Sequence, residues 1–363
     1  MLFSTTKEKI LDGVLIAERV TGKRDTHPVL SCILIEVGKD IFLRATNLEA
    51  GVEIKIPGEA EEKGAVAVSA SVLSQTLRSI PGDTLKLRIE DGNLLIEAKG
   101  SKTLIKAVPH DEFPAIPLGG ESGTKISREK LMRGIQAVSY AASPSMIRPE
   151  LGSVFISLAE GKLICVATDS FRLAEKIVSA NMASGPDTLV PLKHALELQH
   201  ILERVQGDEI MVSAGDSQLT VSGGGTRFVS RVVEGTFPNY KEIIPKKFTT
   251  EVTVLKGDLG EMLKKARVFS GNDQHVGFHV YPKRKIFTAT ARSADVGEMS
   301  DSIDAALSGE DLDINFHIGY LSDCLSSIES DSVVLDFSGE GKPLVIRGVS
   351  DSSFTYLVMP LNR

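Results

Sequence analysis

The chain states one pattern three times, at intervals of roughly 120 residues, and this repetition constrains its fold more than any other feature. Each copy opens on an amphipathic helical stretch: Lys7 to Val20, Arg128 to Tyr140, and Asp258 to Phe269. A pair of strand-like runs follows, as in SCILIEVGKDIFLRATNLEAGVEIKIP, LGSVFISLAEGKLICVATDSFRLAEKIV and VGFHVYPKRKIFTATARSADVGEMSDSI. A second helical stretch comes next (Ser71 to Ile80, Leu192 to Arg204, Tyr320 to Ile328), and each copy closes on two more alternating strands. Two of the copies end alike, on Phe113-Pro114 and Phe237-Pro238. Solenoid repeats run about 20 to 50 residues, so a period this long implies whole domains in tandem.

Length agrees with that reading. At roughly 100 to 200 residues per domain, a 363-residue chain allows two or three domains, each able to bury its own core. Pro114, Pro117, Gly119, Gly120 and Gly123 mark one linker near 114–124, and Pro245 marks another near 245–250. The expected domains are therefore 1–117, 124–245 and 248–363. Within them the apolar period switches between about 3.6 and 2. Leu259, Met262, Leu263 and Ala266 follow the helical spacing, as do Leu131, Ile135 and Val138. Val212 to Val221 and Val333 to Ile346 read as strand pairs turning at Ala214-Gly215-Asp216 and Gly339-Glu340-Gly341. The predicted class is α+β, with two helices packed on one side of antiparallel sheets in each domain.

Several chemistries find no support in the residues. No run of about 18 apolar residues exists, and the start MLFSTTKEKI is charged where a signal peptide would be apolar, so the expectation is a cytoplasmic chain without a membrane segment. Cys32, Cys165 and Cys324 are far apart, lack CxxC spacing and read as buried free thiols. The glycine cluster Ser222-Gly223-Gly224-Gly225-Thr226 lies between strand-like runs with no following Lys-Ser/Thr, and reads as a hairpin turn. His275 and His279 have a metal-like spacing, but the surrounding residues favour a strand, where i and i+4 do not readily share one ion. Asp169 lacks a second carboxylate at a useful spacing and reads as the residue that orders a turn. With no catalytic constellation, the expectation is a protein that is not an enzyme and needs neither metal nor cofactor.

Charge becomes informative once it is divided by element. The first helical segments, 4–24, 125–148 and 256–267, carry +2, +4 and +2. The second, 69–80, 191–204 and 318–329, carry +1, 0 and −2. Together the six hold +7 in a chain of net charge −7, leaving −14 on the remainder. A basic helical layer on an acidic protein suggests one surface that tolerates polyanion and another that repels it. The candidate contacts are Lys23, Arg24, Arg128, Arg133, Arg148, Lys264 and Lys265.

Ala-Thr-Asp-Ser-Phe-Arg-Leu-Ala at 167–174, Gly-Thr-Phe-Pro-Asn-Tyr at 235–240 followed by Ile-Pro at 244–245, and Tyr-Leu-Val-Met-Pro-Leu at 356–361 together resemble the bacterial DNA polymerase III beta subunit, the sliding clamp. The resemblance covers the whole chain in the same order. It implies three clamp domains per chain and a ring formed as a head-to-tail homodimer, with helices lining the hole and strands on the outside. Lys102 to Val108 and the region of Val268 and Phe269 match the family's interface segments. The implied function is sequence-independent encirclement of double-stranded DNA and processivity. The implied partners are the polymerase III alpha subunit, the clamp loader, other DNA polymerases and repair proteins, all bound through short linear peptides.

Carried over by motif, the implied peptide cleft uses Leu151, Thr168, Phe171, Arg172, Leu173, Pro238, Ile243, Val358, Met359, Pro360 and Leu361. Leucine, valine, methionine and proline at a chain end suit an apolar floor, and Met adapts to varied ligands. Arg172 is expected to lay its stem on the wall while its guanidinium meets acidic or carbonyl groups. The chain departs from the family at Ser170-Phe171, where Gly-His or similar is usual, at Glu242, where a basic residue is common, and in its ending Leu361-Asn362-Arg363. A clamp-fold paralogue serving as scaffold or decoy is the alternative that these departures leave open, and a hydrolase on repeated α+β domains is a more distant one.

Overall fold

A computed structural model describes residues 1–22, 27–119, 123–145, 147–179, 185–215 and 217–361. Its helices are α1 (Lys7–Val20), α2 (Ala70–Ser79), α3 (Arg128–Val138), α4 (Leu192–Arg204), α5 (Lys256–Phe269) and α6 (Ile318–Asp323). The expected helical stretches are all present, and α1 and α4 keep the anticipated ends. Thr6 caps α1 by accepting from Lys9 N at 3.4 Å, and its inward stripe is Ile10, Gly13, Val14, Ala17 and Val20. α6 is shorter than the apolar spacing predicted: after Asp323 the chain tightens into a 3-10 turn, Cys324–Ser327. The physical reason is serine. Ser322 Oγ donates to Ile318 O at 2.9 Å and Ser326 Oγ to Asp323 O at 3.2 Å, competing for carbonyls of the helix.

By packing the chain divides into two compact units, residues 1–132 with 181–233, and 133–180 with 234–363. These units do not follow the repeat, because each main sheet runs from one repeat into the next. In the first unit the sheet order is Ala107–Val108, Gly64–Ser69, Cys32–Val37, Ile41–Thr46, Ala50–Ile56, Thr226–Arg231, Gln218–Gly223, Glu209–Ala214 and Thr124–Ser127. Its joint is the antiparallel pair Ala50–Ile56 with Thr226–Arg231, Ala50 opposite Ser230. In the second unit the order includes Ser153–Ala159, Lys162–Thr168, Arg172–Ser179, Phe354–Val358, Leu344–Gly348, Ser332–Phe337, Thr250–Leu255 and Ala306–Gly309. Its joint pairs Arg172–Ser179 with Phe354–Val358, Arg172 opposite Val358.

Each unit also has a smaller sheet. One ends on strand Ser101–Ile105, the other on strand Gly297–Ser302. The glycine cluster forms the hairpin between Gln218–Gly223 and Thr226–Arg231, with Gly224 and Gly225 at φ 53° and 78°, values a two-residue turn demands at both positions. His275 and His279 lie on strand His275–Tyr281, where His279 engages Asp313 and Thr290 at 2.6 and 2.9 Å. The three cysteines are buried, and burial pushes Cys165 up to about 12.

Candidate peptide cleft and basic helical faces

Strand Lys162–Thr168 turns into Arg172–Ser179 through Asp169-Ser170-Phe171. Asp169 Oδ1 accepts from the backbone N–H of Phe171 and of Arg172, both at 2.9 Å. Thr168 Oγ1 donates to Arg172 O at 2.7 Å and accepts from Ser170 N at 3.2 Å. This pair of side chains holds Ser170 at φ 79° and projects Phe171, which is 61% exposed. Asp169 is thus the turn-ordering residue its sequence context indicated. Across the second joint the pairing runs on past the strand, with Met359 N donating to Phe171 O and Leu361 N to Asn315 O, each at 2.8 Å.

The predicted cleft residues occupy three depths. Leu151, Thr168, Leu173 and Val358 are buried. Arg172, Met359, Pro360 and Leu361 are half-buried, while Phe171, Pro238 and Ile243 are exposed. Backbone pairing brings Thr168 to Leu173 against Val358 and Met359. Pro238 and Ile243 flank the 3-10 turn Tyr240–Glu242, which is fastened to strand Arg172–Ser179 by Tyr240 OH donating to Glu175 Oε2 at 2.5 Å. Phe237 stacks on Phe155 with centroids 5.0 Å apart, anchoring the same segment.

Arg172 is the most constrained polar side chain of the group. Nε donates to Asp169 Oδ2 at 3.0 Å and Nη1 to Asp323 Oδ2 at 2.6 Å. Its guanidinium lies 4.3 Å from the Tyr320 ring centroid and 5.8 Å from that of Tyr140. Burial works against the charge, but the surrounding groups outweigh it and its pKa is raised. Sequence reasoning anticipated acidic company for Arg172 but missed Asp323, Tyr320 and Tyr140. One signal was available: the segment 318–329 carries −2. Its two acids are tied to strand Arg172–Ser179, Asp323 to Arg172 and Glu329 to the buried Lys176 at 3.1 Å.

Of the basic candidates, Lys23 and Arg24 lie outside the described residues. Arg128 donates to Leu202 O at 2.6 Å and Gly207 O at 2.9 Å, capping the end of α4. Arg133 is 4.0 Å from Glu329, Arg148 3.0 Å from Glu150, Lys264 2.7 Å from Glu261 and Lys265 2.8 Å from Asp301. Exposed pairs of this kind are weak in water, so these cations can exchange carboxylate for phosphate at little cost. Reasoning from sequence missed a second basic group. Arg19, Arg78, Arg204 and His200, with Glu18 and Glu203, line a notch of about 550 Å³ formed by α1, α2 and α4. Arg19, Arg78 and Arg204 all fall in the last turns of their helices, where a cation is routine for dipole reasons and so attracts no notice.

Comparison with known proteins covers the whole chain. Family models for the DNA polymerase III beta subunit match in chain order: the N-terminal domain at residues 1–117, the central domain at 125–239 and the C-terminal domain at 241–362. The beta sliding clamp of Pseudomonas aeruginosa is 28% identical over 99% of this chain and 100% of its own. The crystal structure of the DNA polymerase III beta subunit from Thermotoga maritima superposes with a TM-score of 0.95 at 28% identity, covering 100% of this chain and 99% of that one. The P. aeruginosa clamp solved bound to griselimycin gives 0.93 at 26% identity, with both chains fully covered.

Proposed function

The chain belongs to the DNA polymerase III beta subunit family, and on that premise we propose that it is a DNA sliding clamp: a homodimeric ring that encircles duplex DNA and tethers the replicative polymerase through the cleft around Phe171, Arg172 and Met359. Its three clamp domains take the bounds 1–117, 124–245 and 248–363. The observation that carries the reading is the full-length match of all three domain models in order.

Strand edges support ring closure. The sheet edge Ser101–Ile105 carries Lys102 and an exposed Leu104, with Lys99 and Lys106 beside it; the edge Gly297–Ser302 carries Glu298 and Asp301. An exposed edge invites another strand, and edges of opposite charge select each other, so the first edge of one protomer pairs with the second edge of its partner, head to tail. Exposed Val268, at 62%, belongs to the same interface.

Helices laid across the duplex offer Arg and Lys to phosphates without reading bases, which permits sliding. Arg133, Arg148, Lys264 and Lys265 act there, joined by Arg19, Arg78 and Arg204. Persistence comes from closure, since release requires the dimer to open. The polymerase alpha subunit, the clamp loader, other polymerases and repair proteins dock by short peptides, gaining effective concentration at the primer end. The protein works in the cytoplasm and performs no bond chemistry. The test is loading on primed circular DNA followed by linearisation: retention on the circle with loss on linearisation supports the reading, and equal release from both refutes it.

A further inference from the structure

Two ion pairs fasten the segment Ile318 to Glu329 to strand Arg172–Ser179. One is the contact of Arg172 with Asp323. The other, four residues along the strand, joins Lys176 Nζ to Glu329 Oε1 at 3.1 Å. Lys176 is 4% exposed, so its charge is held inside the fold, whereas the Glu329 side chain is 59% exposed. A buried ammonium whose partner faces solvent needs a second partner that stays in place. Asp351 is that partner. Its Oδ2 lies 3.7 Å from Lys176 Nζ, and the carboxylate is pinned by the N–H and hydroxyl of Ser353 and by the backbone N–H of Glu329.

Beside this lysine a pocket of about 400 Å³ opens between α3 and the 3-10 turn Cys324–Ser327. Arg133 and Gln136 line it from α3, Ser326, Ser327 and Glu329 from the turn and its continuation, and Lys176 from the strand. Ser327 Oγ donates to Ala137 O at 3.1 Å and so holds the turn to the helix. The charged groups of the lining are two cations and one acid, and a single oxygen of the acid serves both cations. Glu329 Oε1 is 3.1 Å from Lys176 Nζ and 4.0 Å from Arg133 Nη1. The carboxylate therefore stands where an ammonium and a guanidinium converge on one anion.

We propose that this pocket receives a phosphodiester group of the DNA backbone in exchange for the Glu329 carboxylate, which acts as a gate. The inference rests on the clamp reading, which brings α3 against the duplex, and deepens it by naming one contact and its competitor. A phosphodiester offers two non-bridging oxygens, one for each cation, and Arg133 presents a planar fork suited to them. Gln136, one turn along the same face of α3, adds an amide donor. The exchange costs little. Glu329 swings into water, where it was already half in contact, and Asp351 keeps Lys176 paired throughout. Because the carboxylate competes with each phosphate that arrives, the contact stays weak and short-lived, which suits movement along a backbone without base readout.

The experiment is an anisotropy titration of a labelled short duplex with the full-length protein in about 0.1 M salt, where the Debye length is about 10 Å. Glu329→Gln is expected to raise affinity roughly threefold or more. Glu340→Gln removes the same charge from the exposed turn at the far end of the hairpin Ser332–Phe337 and Leu344–Gly348, beyond screening distance, and is expected to leave affinity unchanged. Adding Arg133→Gln to Glu329→Gln cancels the gain, and adding Lys176→Met does the same; should the buried Lys176 variant fail to fold in a thermal melt, the exposed Arg133 variant decides. Equal effects of Glu329→Gln and Glu340→Gln overturn the proposal, as does a gain that survives the loss of Arg133. An equal gain for a labelled poly-glutamate peptide overturns the assignment to phosphate. Retention on circular DNA is scored on the parent protein, so failure of the clamp reading and failure of the gate are distinguishable.

Discussion

Arg172 and Asp323 are 151 residues apart in the chain and 2.6 Å apart in the structure. The contact joins the turn that presents Phe171 to the helix that packs beneath it, so the exposed aromatic rests on a charged clasp. Replacing Arg172 with Ala leaves Asp169 and Asp323 facing each other without a cation. The expected loss is about 1–3 kcal/mol of stability, reduced from the fully buried case because Asp323 is 43% exposed. A double-mutant cycle with Asp323→Asn, read by denaturant melts, should return a coupling of roughly 1 kcal/mol or more; additive effects would mean that the clasp is only geometric.

Phe171→Ala separates binding from folding. The side chain is 61% exposed, so its removal should change stability by no more than about 0.5 kcal/mol. If the cleft binds peptides, affinity for a polymerase-derived peptide should fall at least tenfold. Calorimetric titration alongside a thermal melt measures both, and a large stability loss would show that Phe171 is structural.

Glu197 makes stability pH-dependent in a defined direction. Burial raises its folded pKa to about 7, above the ordinary carboxyl value of 4.5. The folded state therefore holds the proton more tightly than the unfolded chain, and the stability this confers is full below about 4.5 and lost as pH rises through 7. Glu197→Gln should be more stable than the parent at pH 8, by roughly 2 kcal/mol after allowance for solvent screening, while the two converge at about pH 4. Melts at the two pH values decide it; a difference independent of pH would contradict the burial account.

The notch of Arg19, Arg78 and Arg204 should contribute to duplex binding through counterion release. Arg78→Ala should lower affinity for a short duplex uniformly across sequences and reduce the slope of log K against log salt by about 1. An unchanged slope would remove the notch from the DNA surface.

Cys165 and Cys324 should resist thiol reagents in the folded protein, because burial raises both pKa values and shields the sulfurs. Counting reactive thiols before and after denaturant tests this; prompt native labelling of either would show that its core opens.

Much of the local structure was legible before any coordinates. Ile10, Val14 and Ala17 on α1, or Leu259, Met262 and Ala266 on α5, announce a helix by spacing because each helix buries one stripe. Paired glycines at 224–225 announce a hairpin because only that backbone freedom closes it. The motif 167–174 pointed to the cleft through its resemblance to the clamp family, and its turn was legible because Thr168 and Asp169 build it within a few residues. The burial of Glu197, by contrast, is not legible from its place on α4. Its surroundings include Arg19 and Glu49, both distant in the chain.

The threefold repeat, the helices, the turns and the family to which their order points were thus legible in the residues alone. All of these follow from short-range periodicity and from backbone restrictions that operate within one element. Packing in three dimensions decided that the repeats share continuous sheets, that Arg172 is clasped by Asp323, and that Glu197 is buried. Strand pairing and charge pairing act through space between residues as much as 151 positions apart, and a backbone hydrogen bond across a joint carries no side-chain signature from which its partner could be read.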